Sequence, residues 1–214
     1  MAGVKNIVVT SITDQKDTLR NDQNTEGAKF IAFTDQSSNV WEVRPPYSLF
    51  KSPIWNSRIQ RTLIHQYVDA DYSLWIDGNI ALKVPMKRLI DEWMQDFDIA
   101  TWKHPWRDCL YKELEISIQL KLDDSNVMEE EIKQYKKEGI PEHSGLPETW
   151  MILRKHNKKV ETFNNLWWSQ TCRYSQRNQS SFVWAAGKAG LKVNYIEGNT
   201  RSHPYFSYIP HSKY

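Results

Sequence analysis

The 214-residue sequence has no long apolar run, only two cysteines and no excess of either charge sign, and each lack removes a class of protein. No stretch approaches the roughly 18 consecutive apolar residues of a membrane-spanning helix, and the N-terminus carries no apolar signal segment. A cytoplasmic protein without a membrane span is therefore expected. Cys109 and Cys172 lack the close spacing of a zinc site and are too few for a disulfide framework, so both read as reduced thiols. With 28 basic and 26 acidic residues, the net charge of +2 leaves no basic stripe of the kind a nucleic-acid binder needs. Glycine is missing from residues 11–19, directly after the first apolar stretch, so no glycine-rich phosphate loop stands there.

Aromatics are abundant instead, with ten Trp and ten Tyr. Most suit a core, and the remainder would suit a ligand with apolar faces and a polar rim, such as a sugar ring. Short β-branched or aromatic runs at 6–10 (NIVVT), 29–34 (KFIAFT), 40–43, 72–76 (YSLWI), 98–102, 149–154 and 191–196 read as strands. Helical spacing appears at 53–67, 86–97, 108–121, 160–174 and 179–189, the last stopped by Gly190. The charge-dense segment 123–139 reads as a solvated helix. Strands alternating with helices imply one α/β sandwich domain over 1–214 with a mainly parallel mixed sheet flanked by helices. The Pro/Tyr/His-rich end of the chain reads as a tail.

In such sheets ligands bind outside the carboxyl ends of the strands. That rule selects residues 10–14, Asp35 and Gln36, Asp77-Gly78-Asn79 and 103–108. Asp77 and Asn79 put two oxygen-bearing side chains two residues apart at a strand end, and Gly78 allows close backbone approach. A hard divalent cation takes such oxygens together with substrate phosphates. A tight Asp-Gly turn is the plainer reading. Asp69-Ala70-Asp71 spells a similar pattern but precedes its strand and reads as a surface turn.

Six segments occur in order: YSLWIDGNI (72–80), KHPWRDCL (103–110), GLPET (145–149), RKHN (154–157), LWW (166–168) and SQRNQSSF (175–182). Together they resemble a family of GT-A glycosyltransferases found in plants, bacteria and large viruses, long catalogued as a domain of unknown function. The resemblance spans roughly residues 50–190. In size the chain looks most like the N-terminal domain of a multidomain chlorella-virus member, which would place it in the host cytoplasm and beside further domains of a larger polypeptide.

The resemblance implies a GT-A, Rossmann-like fold, a UDP-sugar donor (UDP-glucose or UDP-rhamnose), a saccharide acceptor and Mn²⁺ or Mg²⁺. Residues 1–100 would form the nucleotide-sugar half and 101–214 the acceptor half. Thr10, Ser11, Ile12 and Asp14 would line the nucleoside pocket. Arg61 would reach the pyrophosphate, unless it only faces solvent on its helix. Asp77 and Asn79 match the family's metal positions, and a C-terminal histidine, His211 in preference to His203, would complete the site. Lys213 would add a cation for phosphate. His104, Trp106, Arg107 and Glu148 would meet the acceptor. Asp108, Asn178 and Gln179 are the catalytic candidates, with Asp108 equally suited to capping the next helix.

Two departures matter. Asn79 replaces the second carboxylate of many GT-A enzymes and weakens a metal site. Asn178 replaces the family's Asp in the RDQ segment and cannot deprotonate an acceptor hydroxyl. Either Asp108 or Glu148 supplies the base, or the reaction retains configuration with the leaving phosphate taking the proton. A sugar-nucleotide nucleotidyltransferase is the rival enzyme, and a non-catalytic carbohydrate-binding module is the rival of a different class.

Overall fold

The β-branched runs do form the sheet. In the computed structural model, which describes residues 4–199 and 201–211, β1 (Asn6–Ser11) lies between β2 (Lys29–Phe33) and β4 (Tyr72–Ile76), parallel to both. A strand flanked in this way is covered on both faces and needs apolar residues on each. Alternation meets the need, because Ile7 and Val9 enter one core cluster while Val8 enters the other.

The full order is β3-β2-β1-β4-β7-β6-β8, with β3 (Glu42–Arg44), β6 (Ile99–Lys103), β7 (Pro147–Lys155) and β8 (Val193–Ile196). Only β7 runs antiparallel to its neighbours in this seven-stranded sheet, giving the mixed, mainly parallel sheet of the GT-A class. Helices α1 (Pro53–Thr62), α2 (Met86–Trp93), α3 (Leu110–Gln119), α4 (Ser125–Lys137), α5 (Lys158–Arg173) and α6 (Asn178–Lys188) cover it. Residues of α3 to α6 share the core on one face, with Trp167 fully buried, and α2 packs on the other with Trp93. Removing an indole like Trp167 from water is worth about 3 kcal/mol.

Two family segments have structural work here. Asn157 of RKHN caps α5 by accepting from the Val160 amide, and Trp167 of LWW donates its indole N–H to the Asn178 carbonyl at 2.8 Å. Gly190, at φ +64°, ends α6 in the left-handed conformation that suits glycine.

Four expectations need correction. The helix read over 53–67 stops at Thr62 and continues only as a 3₁₀ turn at Ile64–Gln66. The C-terminal segment is not a loose tail, since β9 (Phe206–Tyr208) pairs antiparallel with β5 (Ile80–Leu82) directly after Asn79. Each of these strands has three residues, too few to show a period of two. The charge run is not wholly solvated: Glu131 on α4 is 1 % exposed, accepts from Ser180 at 2.7 Å and has its carboxyl pushed up to about 7 by burial. Finally, Asp108 does not cap α3; the N-cap residue is Cys109, without a side-chain bond. Cys109 and Cys172 are both free thiols.

Candidate active site

β1 and β4 end side by side, and their register, Val9 opposite Trp75, carries Ser11 level with Asp77. A cavity of about 620 Å³ opens above these ends, within the size range of small-ligand sites. Ser11, Ile12 and Asp14 line its floor after β1, and Asp77 and Gly78 line it after β4. Thr10 is enclosed in the strand and does not reach the cavity.

Asp77-Gly78-Asn79 is both a turn and a strand-end presentation, for the Ile80 amide bonds back to the Asp77 carbonyl at 3.0 Å. The Asp77 carboxylate takes the Trp75 indole N–H at 3.1 Å. Burial raises the Asp77 carboxyl, opposed by Arg61, the Trp75 bond, Lys16 and His211. Gly78 has an ordinary backbone conformation; a Cβ there would fall 2.5 Å from the Ile12 side chain, so its role is close packing beneath the floor.

Asn79 points elsewhere. It is 4 % exposed, does not line the cavity, and its side-chain amide donates to the Ile209 carbonyl at 2.9 Å while its own carbonyl accepts from the Ile209 amide. This clamp continues the β5–β9 pair and brings His211 onto the cavity, where its Nδ1 meets Asp17 Oδ1 at 2.8 Å. His203 lies away from the cavity, packed among Trp93, Trp102, Tyr205 and Phe206. Lys213 falls outside the described residues.

The opposite wall is cationic. Arg58 and Arg61, three residues apart on α1, share a helix face, and Arg177 approaches from the start of α6. Burial, together with the like charges of Arg61 and Arg177, pushes Arg58 down to about 9, so it stays charged at neutral pH. Burial also lowers Arg61, partly countered by Asp77. Each of the three has a guanidinium nitrogen sealed from water with no acceptor: Arg58 Nη1, Arg61 Nε and Arg177 Nε. Of the three, the sequence reading found only Arg61. The Arg58/Arg61 spacing was visible, whereas Arg177 needed the fold to bring α6 across from α1.

Asn178 and Gln179 line the same cavity. Asn178 is 4 % exposed with its Nδ2 unpaired, and Gln179 donates to the Pro147 carbonyl at 2.9 Å. Glu148 does not line the cavity, although its neighbour Thr149 does. The β6–β7 register jumps from Thr101 opposite Ile152 to Trp102 opposite Glu148, and the resulting bulge sets Thr149 and Trp150 against the cavity. Burial raises the Glu148 carboxyl, with Arg201 opposing and Asp77 reinforcing the shift.

The loop after β6 does not open on the cavity. His104 is buried and accepts the Trp106 and Arg107 amides at Nδ1, Arg107 pairs with Glu113 at 2.7 Å, and Trp106 is 81 % exposed. Asp108 is exposed, held 2.7 Å from His143, and outside the cavity. The loop's link to the site is indirect, through Arg107 and its partner Glu113, which also lies 3.4 Å from Arg177.

The metal trio Asp77, Asn79 and His211 is thus not assembled as expected. Among the described residues no group of three or more His, Cys, Asp and Glu side chains is arranged to hold a metal. Asp77 and His211 do face one cavity, which fits a hard cation whose remaining ligands are water and a substrate's phosphates. No helix among the described residues is long and apolar enough to cross a membrane.

Comparison with known proteins bears on the fold and the family. The bifunctional glycosyltransferase WbbM in its apo form superposes with a TM-score of 0.54 at 10 % identity, covering 90 % of this chain and 39 % of that one, which shows the fold. The probable hexosyltransferase MUCI70 of Arabidopsis thaliana is 26 % identical over 189 residues, 83 % of this chain and 31 % of that protein. The alkaline ceramidase TOD1 of the same plant is 23 % identical over 158 residues, 68 % of this chain and 34 % of its own length. The chain therefore spans about a third of the curated relatives it matches. The model of the TOD1/MUCI70 glycosyltransferase-like domain matches residues 40–197, a span holding Asp77, the three arginines and the 178–179 pair, and the chain belongs to that family.

Proposed function

We propose that this domain transfers a hexose or deoxyhexose from a UDP-sugar to a saccharide acceptor. The observation that carries the reading is one cavity, at the carboxyl ends of β1 and β4, in which Asp77 faces Arg58, Arg61 and Arg177. A leaving nucleoside diphosphate gains charge in the transition state, and donors already oriented toward that charge lower the barrier. Ser11, Ile12 and Asp14 would hold the nucleoside, and the arginines the diphosphate. Asn178 and Gln179 would take hydroxyls of the transferred sugar, with Gln179 fixed by the Pro147 carbonyl. A divalent cation bound by Asp77 and His211 would supply further neutralisation of the leaving diphosphate. Of the carboxylates weighed as base, Glu148, next in sequence to the cavity-lining Thr149, suits the role better than Asp108, whose carboxylate is held by His143.

The test is a panel of UDP-sugars offered to the purified chain with Mn²⁺, with hydrolysis or transfer followed by release of UDP. Turnover of a UDP-hexose or UDP-deoxyhexose, lost in Asp77→Ala, is the expected result. Absence of both binding and turnover across the panel would remove the reading, and NMR of the product would assign its anomeric configuration.

A further inference from the structure

Resting on the donor reading above, we propose that Arg58, Arg61 and Arg177 anchor the diphosphate by themselves, so that the nucleotide binds without a divalent ion. Three facts about the cavity lead there.

The acidic side is thinly provided. Asn79 is occupied with Ile209, Asp17 is engaged by His211, and Asp77 already accepts from Trp75. Of the three carboxylates that line the cavity, Asp14, Asp17 and Asp77, the last two are engaged in this way, and among the described residues no three acidic, thiol or imidazole groups are arranged to hold a cation. The affinity of a cation must then come largely from the donor's own oxygens.

The basic side is over-provided. Among the described residues neither Arg58 nor Arg61 forms an ion pair, and the nearest partner of Arg61 is the neutral Thr149 hydroxyl at 3.4 Å. Arg177 has two long side-chain contacts, with Glu113 and with the Gln179 amide oxygen, each at 3.4 Å, and the Glu113 carboxylate is already taken by Arg107 at 2.7 Å. Three guanidinium groups in mutual repulsion, each with a dry unpaired nitrogen, are costly unless an anion joins them. Planar guanidinium forks match phosphate oxygens in pairs, and two or three of them suit a diphosphate better than a single carboxylate.

The start of α6 adds donors. Arg177 is its N-cap residue and makes no side-chain cap, and the next two residues, Asn178 and Gln179, line the cavity. The first amides of such a helix favour an anion. Arginines and amides are in place before any metal arrives, so the order of events is nucleotide first and cation second.

Calorimetry of the whole chain with UDP, once in EDTA and once in Mn²⁺, tests this directly, with uridine as the uncharged control. The expected result is UDP binding in EDTA within about tenfold of the Mn²⁺ value, and at least tenfold tighter than uridine. Arg58→Gln and Arg61→Gln should each weaken metal-free UDP binding by about tenfold or more. Neither should lower the melting temperature of the ligand-free protein, because each relieves like-charge repulsion; melting curves thereby separate lost binding from lost folding. UDP binding that appears only with Mn²⁺, or uridine binding as tightly as UDP in EDTA, overturns the inference and leaves the donor reading standing. Binding of neither UDP nor a UDP-sugar with or without metal overturns that reading instead.

Discussion

The two walls of the cavity are built on opposite terms. On the strand side nearly every polar group has a partner within the protein: Asn79 with Ile209, Asp17 with His211, Asp77 with Trp75, Ser11 with Gln60. On the helix side the arginines are left with sealed, unpaired nitrogens. Buried polar groups without partners are rare in folded proteins, and where they cluster at a cavity they mark what a ligand must complete. The strand wall sets geometry, and the helix wall waits for charge.

The largest effect should come from removing Asp77, the acid at the end of β4 that lines the cavity with the arginines. Asp77→Ala is expected to reduce kcat/KM for sugar transfer by about 10²–10³-fold, with circular dichroism unchanged. A variant that retains wild-type turnover would show that the walls do not act together on the donor.

A change behind the helix wall should be felt as stability. Glu113 is 2 % exposed and holds Arg107 and, more loosely, Arg177. Glu113→Ala removes the buried carboxylate from the part-exposed Arg107 guanidinium and should cost about 2 kcal/mol in urea unfolding. A loss below about 1 kcal/mol would mean that the pair is open to water and the HPWRD loop is held by His104 alone.

Legibility followed the same division. The strand wall was readable because an apolar run ending in Asp-Gly-Asn is a local pattern, as are the β1 and β4 strands that bring Ser11 and Asp77 together. Orientation was not readable. Whether Asn79 faces the ligand or the chain depends on β9, more than a hundred residues away, and on two three-residue strands with no periodicity. The helix wall was half legible: Arg58 and Arg61 sit on one local face, but Arg177 joins them only through the packing of α6. The place of Asp108, weighed equally as a cap and as a catalytic group, was hidden for the same reason, since His143 and Gly145 bond it from outside its own loop.

Glu131 extends the point to a charge that sequence placed in water. Its pKa is raised by burial to about 7, against 4.5 for an ordinary Glu. Both folded and unfolded states are protonated below pH 4.5, so the contribution is full there. From about pH 4.5 to 7 the unfolded state releases a proton that the folded state keeps, and stability falls through that window. Glu131→Gln should therefore gain roughly 2 kcal/mol on the wild type between pH 4.5 and 8, read from urea midpoints. A constant difference across that range would show that the carboxylate is ionised in the fold. The effect bears on the site through Ser180, which bonds both Glu131 and the Arg177 carbonyl.

The smallest effect concerns the loop after β6, where the side chains are partnered but Trp106 is not enclosed. Its indole is 81 % exposed beside the buried His104, with ring centroids 5.8 Å apart. An exposed indole contributes little to folding, so Trp106→Ala should change stability by less than about 0.5 kcal/mol. An aromatic face held on a partnered loop is nonetheless suited to stacking an acceptor sugar, at about 1 kcal/mol. The expected outcome is a rise of about fivefold in the KM for acceptor, with the KM for the UDP-sugar and kcat unchanged. An unchanged acceptor KM would separate this loop from the acceptor. A raised donor KM would instead join it to the helix wall through the Arg107–Glu113–Arg177 chain, and the two-wall division of the cavity would need a third side.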